Sequence, residues 1–329
     1  MAKKDKRQKV TLTADARHGM VVRTTGSTYE VRLDDGSAVS CVIKGNFRIK
    51  GIRTTNPVAV GDRVMAVRAT DDVWYITDIL PRRNYIIRRA SNLSKESHIL
   101  AANIDKAFLV VTLRDPEVPL TFIDRFLATA EAYRIPANII LNKSDLWDGD
   151  DREVGGAMKY LYDSIGYPVL TVSAATGDGL DLLRDATRDC MSLMAGNSGV
   201  GKSTLINALV PGAGLRTGEI SDLYRTGTHT TTFSEMIDLP YGGEIIDIPG
   251  VRSFGTIDFT VEDTGHFFPE IFREARHCKY SDCRHTGEPG CAVREAVEEH
   301  RIAESRYASY LSILEEVLAG DSDKYRKPF

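Results

Sequence analysis

Gly196-Asn197-Ser198-Gly199-Val200-Gly201-Lys202-Ser203 is the stretch that decides the fold. It follows the pattern G-x-x-x-x-G-K-[ST], with a short apolar run before it (residues 191–195) and a helical pattern after it (residues 204–210). Between a strand and a helix, such a loop curls so that successive backbone N–H groups point inward and cradle phosphate oxygens. Lys202 is placed to reach the β- and γ-phosphates and Ser203 to put a hydroxyl on Mg²⁺, with Thr204 next in the cradle. The helix that begins there adds the positive end of its dipole. The stretch predicts a nucleoside triphosphate site in an α/β fold.

The 329 residues allow two or three domains. With 42% hydrophobic and 27% charged residues the composition is that of an ordinary globular protein, and no apolar run approaches the ~18 residues of a membrane span. The basic first residues lack the apolar core of a signal peptide, so a cytoplasmic location with no membrane partner is expected. The net charge of −4 is unevenly spread: residues 1–90 carry a net +9 and the remainder a net −13. That asymmetry suggests a polyanion partner for the N-terminal third; a solvated surface with a basic arm is the plainer reading.

Residues 1–15 read as a flexible basic arm, followed by a small barrel over residues 16–85. Tyr29, Val31 and Leu33 alternate with polar residues, Asp35-Gly36 supplies a hairpin turn, and Val39, Cys41 and Ile43 alternate again. Four or five such strands suggest an OB-like β-barrel, a fold that binds oligonucleotides on one face. Lys44, Arg48, Lys50 and Arg53 are the candidate RNA contacts, and use of the barrel as a protein-docking module is the alternative. Residues 82–96 read as a basic, irregular linker. From residue 98 to 258 apolar strands alternate with amphipathic helices, which implies a parallel sheet covered on both faces.

Two further elements bear on the base. Asn142-Lys143-Ser144-Asp145 follows a predicted strand, where ligands bind open α/β sheets, and resembles the N-K-x-D element of GTPases. There the Asp accepts from the guanine N1 and N2 hydrogens, which adenine does not offer. Ser173-Ala174, one strand later, resembles the S-A element that donates a backbone N–H to guanine O6. Asp247-Ile-Pro-Gly250 resembles D-x-x-G, with Asp247 holding Mg²⁺ through water and the Gly250 N–H sensing the γ-phosphate. The threonine-rich stretch around His229-Thr230-Thr231 is a candidate switch loop, with Thr231, or else Thr230, ligating Mg²⁺ when GTP is bound.

In an ordinary GTPase, N-K-x-D and S-A come after the phosphate loop; here they precede it. Circular permutation gives that order while leaving the sheet unchanged. The whole arrangement, with a barrel before and a Cys/His cluster after, resembles the ribosome small-subunit-dependent GTPases, the RsgA family. The resemblance runs from about residue 19 to the C-terminal Arg306-Tyr307-x-x-Tyr310. It implies a circularly permuted GTPase acting as a monomer on the small ribosomal subunit and its rRNA, slow alone and stimulated by the subunit. Ras-type enzymes orient the attacking water with a Gln just after D-x-x-G, a place held here by Val251. His229 is the nearest candidate for that role, and the resemblance implies the same.

Cys278-x₄-Cys283-x-His285-x₅-Cys291 supplies three thiolates and an imidazole, the donor set of a closed, structural Zn²⁺ site. Residues 262–329 therefore read as a zinc-binding domain, helical from 292 to 318. The competing readings are a guanine-nucleotide-gated RNA-binding module whose turnover is incidental, and an ATP-using enzyme, against which Asp145 argues.

Overall fold

The computed structural model describes residues 12–43, 57–70, 72–89, 97–215, 235–247 and 259–325. Strands β1 (Leu12–Thr24), β2 (Thr28–Leu33), β3 (Ala38–Ile43), β4 (Arg63–Ala69) and β5 (Trp74–Ile79) close in the order β1-β2-β3-β5-β4, with β4 returning to β1. All pairs are antiparallel except β3 with β5. The alternation seen in the sequence is the barrel's inside: Tyr29, Val31, Leu33 and Cys41 pack with Val21, Val64, Ala66 and Ile76. Gly36 (φ +84°) makes the predicted turn, its N–H donating to Leu33 O, while the Asp35 carboxylate accepts from the Ser37 N–H. β1 bends to pair on both sides, and Gly19 stands opposite both Leu33 and Val64. A Cβ there would lie 2.6 Å from Val31 Cγ1, so only glycine permits the approach.

Two expectations are corrected. Residues 12–15, assigned to the flexible arm, begin β1, where Leu12 pairs with Ala69 of β4. The stretch read as an irregular linker contains β6 (Tyr85–Arg89), which forms an antiparallel pair with β7 (Ser97–Ala102). Its Arg-rich sequence hid a strand whose Ile86 is buried, as is Ile99 of β7. Buried polar bonds join this pair to the barrel: Arg82 (8% exposed) holds Asp62 (0%) at 2.6 Å and donates to Pro57 O, and Asn103 donates to Gly61 O.

Contacts divide the chain into two units. The first is the barrel with the β6-β7 pair and parts of β12 (Glu235–Asp238) and β13 (Glu244–Asp247); Arg23 of β1 pairs with Glu235 of β12. The second begins at Asp105. Its sheet is parallel in the order β10-β9-β8-β11, from β8 (Lys106–Val111), β9 (Ala137–Leu141), β10 (Val169–Thr171) and β11 (Met191–Ala195). β9 and β11 are buried along their whole length, as strands covered on both faces must be. Helices α1 (Leu120–Ala132), α2 (Gly149–Ile165) and α3 (Leu180–Thr187) connect them, and α4 (Lys202–Leu209) follows β11. Asp148 and Asp151 form a reciprocal capping box that starts α2.

The C-terminal part of this unit contains α5 (Pro269–Ala275), α6 (Ala292–Glu298) and α7 (Glu304–Tyr325). The helical stretch expected over residues 292–318 is divided in two where the amides of Arg301 and Ile302 return to Ala296 O with His300 left-handed (φ 60°). Among the described residues no helix is long and apolar enough to cross a membrane. Asp62→Ala, which leaves the buried Arg82 guanidinium without its carboxylate, is expected to lower the unfolding free energy by about 3–5 kcal/mol, read from the denaturant midpoint.

Candidate functional site

The sheet delivers its polar loops to the ends of β8, β9, β10 and β11, where an open α/β sheet binds ligands. The phosphate loop leaves β11 with Gly196 at φ +148°, where a Cβ would overlap Val110 O, and enters α4 through Gly201 at φ +93°. Gly199 also has a positive φ, and Val200 is buried between the exposed Gly199 and half-buried Gly201. Lys202 Nζ donates to Gly196 O (2.6 Å) and Asn197 O (2.9 Å), lying across its own loop. Asn197 and Ser203 are half-buried, whereas Ser198 and Thr204 are exposed.

Asn142 unites the elements. It is 1% exposed, its Nδ2 donates to Val200 O of the phosphate loop (2.8 Å), and its Oδ1 accepts from the Ala174 N–H (3.2 Å). One amide thus holds the N-K-x-D turn, the S-A turn and the phosphate loop together. Ser173, fully buried, donates its hydroxyl to Asp145 Oδ1 at 2.5 Å, fixing the carboxylate at the mouth. Lys143 takes a left-handed φ of 62° and its ammonium donates to Asp115 O. The loop of residues 112–119 that carries this carbonyl also puts the Pro116 ring against the phosphate loop, 3.3 Å from where a Gly199 Cβ would stand. Nothing in the sequence marked this loop; its Pro-containing polarity reads as an ordinary turn.

Asp247 closes β13, half-buried, in the first unit. His229, Thr230, Thr231, Gly250 and Val251 lie outside the described residues, as do Lys44, Arg48, Lys50 and Arg53.

In the C-terminal region the ligand atoms of Cys278, Cys283, His285 and Cys291 all lie within 4.8 Å of one another, a group able to hold a metal ion. His285 Nδ1 stands 3.6 Å from Cys278 Sγ and 3.4 Å from Cys291 Sγ. The ring is 4% exposed, and burial lowers its pKa, which keeps the imidazole in the neutral form that ligates. Burial pushes the Cys283 thiol up to about 12, a preference that a bound cation would reverse. Three soft thiolates and one imidazole, closed on themselves, suit tetrahedral Zn²⁺. His277 stays outside the group.

The loop around these ligands has supports that the spacing did not reveal. Although partial burial opposes it, the backbone N–H groups of Gly287, Arg284 and Thr286 hold the Glu288 carboxyl down at about 2. The hydroxyls of Tyr307 and Tyr310 donate to His285 O (2.5 Å) and Arg284 O (2.8 Å). Of these, only the two tyrosines carried a sequence signal.

Comparison with known proteins decides the family. The RsgA GTPase profile matches residues 79–257, and the RsgA N-terminal domain profile matches residues 18–76. The chain belongs to the RsgA GTPase family. A Bacteroides fragilis relative named Small ribosomal subunit biogenesis GTPase RsgA is 56% identical over 311 residues, covering 94% of this chain and 99% of the relative. The Phocaeicola vulgatus RsgA is 54% identical with the same coverage. Among solved structures, YjeQ from Thermotoga maritima superposes with a TM-score of 0.76 at 33% identity, covering 92% of this chain and 99% of that one. YloQ, a circularly permuted GTPase, gives 0.71 at 30% identity over 96% and 98%. Membership in the RsgA GTPase family makes GTP the nucleotide hydrolysed, and GTP hydrolysis implies Mg²⁺.

Gly201→Ala would press a methyl group onto the Asn142 amide at a backbone conformation that L residues avoid. GDP affinity, measured by isothermal titration calorimetry, is expected to weaken by about tenfold or more, ~1.4 kcal/mol.

Proposed function

We propose that this protein hydrolyses GTP as a ribosome-dependent switch in late maturation of the small ribosomal subunit, working as a cytoplasmic monomer. The observation that carries the reading is Asn142, whose one amide ties guanine-type and phosphate-type loops into a single site. The name borne by the Bacteroides fragilis and Phocaeicola vulgatus relatives supports the ribosomal role. The working division is a barrel over residues 16–85, a GTPase domain over 98–258 and a zinc-binding domain over 262–329, with barrel and zinc domain meeting rRNA.

In this reading Asp145, held by Ser173, accepts from the guanine N1 and N2 hydrogens, and the Ala174 N–H lies at guanine O6. Lys202 exchanges the neutral carbonyls of Gly196 and Asn197 for β- and γ-phosphate oxygens, stronger acceptors for an ammonium. Gly196 to Thr204 line the phosphates. Mg²⁺ would neutralise charge on those oxygens, held by Ser203 and Thr231 (Thr230 in the alternative register), with Asp247 reaching it through water. The Gly250 N–H senses the γ-phosphate. With Val251 in place of a water-orienting Gln, His229 directs the attacking water. Zn²⁺ is the ion for Cys278, Cys283, His285 and Cys291, filling a structural rather than catalytic site.

Turnover of GTP is expected to be slow alone and to rise strongly with added small, not large, ribosomal subunits. Tight GTP binding without any such stimulation would leave a nucleotide-gated binding module in place of an enzyme. His229→Ala is expected to abolish the stimulated turnover, a loss of at least about 10²-fold, while GDP affinity changes less than twofold. Undiminished stimulation in that variant would remove His229 from the mechanism. Cys291→Ser is expected to drop zinc below one equivalent per chain by elemental analysis.

A further inference from the structure

One turn of α7, Arg306-Tyr307-x-x-Tyr310, faces two ways. On one side the Arg306 guanidinium, 1% exposed, donates to Asp124 of α1 (2.8 Å) and to Glu270 of α5 (2.6 and 3.2 Å), 4.7 Å from the Phe268 ring centroid. On the other, Tyr307 and Tyr310 hold the carbonyls of His285 and Arg284, on the segment that presents the metal-ligating imidazole. Asp124 also accepts from the Tyr162 hydroxyl of α2, the helix that follows the guanine element. Finally, α1 begins where residues 112–119 end, and that loop receives the Lys143 ammonium and touches the phosphate loop at Gly199. Every step from the metal loop to the nucleotide loops is a direct contact within one unit.

We propose that this turn couples the two sites, so that a metal ion on the Cys/His group and a guanine nucleotide on the phosphate loop favour each other. The proposal rests on the guanine-nucleotide reading of the site. Arg306 is a positioning residue: it acts on the nucleotide through α1. Asp124 is fully buried, and its charge is balanced by Arg306. If the metal loop releases Tyr307 and Tyr310 and α7 shifts, Asp124 cannot stay where it is without its Arg306 partner, because a buried carboxylate stripped of its counter-charge is strongly disfavoured. The helix α1 moves with α7, and with α1 move the Asp115 carbonyl and Pro116. A charge cluster whose guanidinium meets both carboxylates in one arrangement passes such a shift on, where an apolar contact would slide. Linkage makes the effect reciprocal, so nucleotide binding must tighten the metal by the same factor.

The test reads both halves of the cycle on the full-length protein. Zn²⁺-loaded protein is titrated with a chelator of known affinity, with and without saturating GDP, and the GDP dissociation constant is measured with and without Zn²⁺. GDP is expected to raise Zn²⁺ affinity by about fivefold or more, the lower end of usual coupling, and Zn²⁺ to raise GDP affinity equally. The double substitution Tyr307→Phe with Tyr310→Phe keeps both rings and removes both hydroxyls. It should bring the two factors to about one while each chain still binds one Zn²⁺ and GDP. Asp124→Asn, which keeps the shape and weakens the charge pair, should also reduce them. Factors of one in the unsubstituted protein, with GDP bound, would overturn the coupling; so would full factors in the substituted proteins. Should the double variant not fold, Tyr307→Phe alone is judged by the same criterion. A protein that holds Zn²⁺ but binds no GDP would overturn the nucleotide reading and the coupling with it.

Discussion

A single buried amide organises the loops at the strand ends of the parallel sheet. Asn142 sits at the C-terminal end of β9 with its backbone N–H on Val111 O of the neighbouring strand, so its position is fixed by the sheet. Its side chain spends a donor on the phosphate loop and an acceptor on the S-A turn. A buried amide left without either partner would cost about 1–3 kcal/mol, so the three loops are bound to a common geometry. The glycines follow from this constraint. Gly201 leaves the room that the amide occupies, and Gly196 passes close to the Val110 carbonyl. The permuted order of the motifs is then immaterial to the site: the amide joins residues 58 and 32 positions away, and the sheet alone decides which loops meet.

How much of this could be read from the sequence depended on whether spacing or packing carried the information. The phosphate loop and the Cys/His cluster were legible because their chemistry needs fixed residue types at short separations. The barrel was legible because Tyr29, Val31 and Leu33 alternate cleanly with polar neighbours. β6 was not, because in Tyr85–Arg89 the arginines mask a strand with one buried isoleucine. Asn142 belongs to the N-K-x-D element, whose Asn braces the base and the phosphate loop, and its bond to Val200, 58 positions away, is that brace, although spacing alone does not name its partner. The loop of residues 112–119 was missed for the same reason. Arg306 shows the limit most clearly: an arginine on a helix reads as solvated, yet its carboxylate partner stands 182 positions earlier.

The C-terminal region needs several kinds of support because its elements are small. Helices α5 and α6 have seven residues each, well short of the ~12–15 at which an isolated helix becomes even marginal in water. Their order must come from tertiary contacts. A shared core supplies part: Phe268, Ile271, Val293, Ala296, Ile302, Tyr310, Ile313 and Leu314 pack together, joined by Ala128 of α1. A metal ion on the Cys/His group would close the loop between α5 and α6, where regular structure is absent and burial pushes the Cys283 thiol up to about 12.

The Arg306 cluster adds what neither core nor metal provides. Replacing such a buried ion cluster with well-packed apolar residues is often neutral or stabilising, so stability alone is a weak reason for it. An apolar side chain, however, would let α7 settle against α1 in several registers of similar energy. Arg306 accepts only the one in which its guanidinium meets Asp124 and Glu270 together, with Tyr162 donating to the same Asp124 Oδ1. Because Tyr307 and Tyr310 belong to the same turn, the register that satisfies Arg306 also sets the carbonyls of His285 and Arg284, and hence the imidazole, relative to the thiols. The cluster therefore fixes where the metal loop sits on the GTPase helices, and that is a demand of geometry more than of stability.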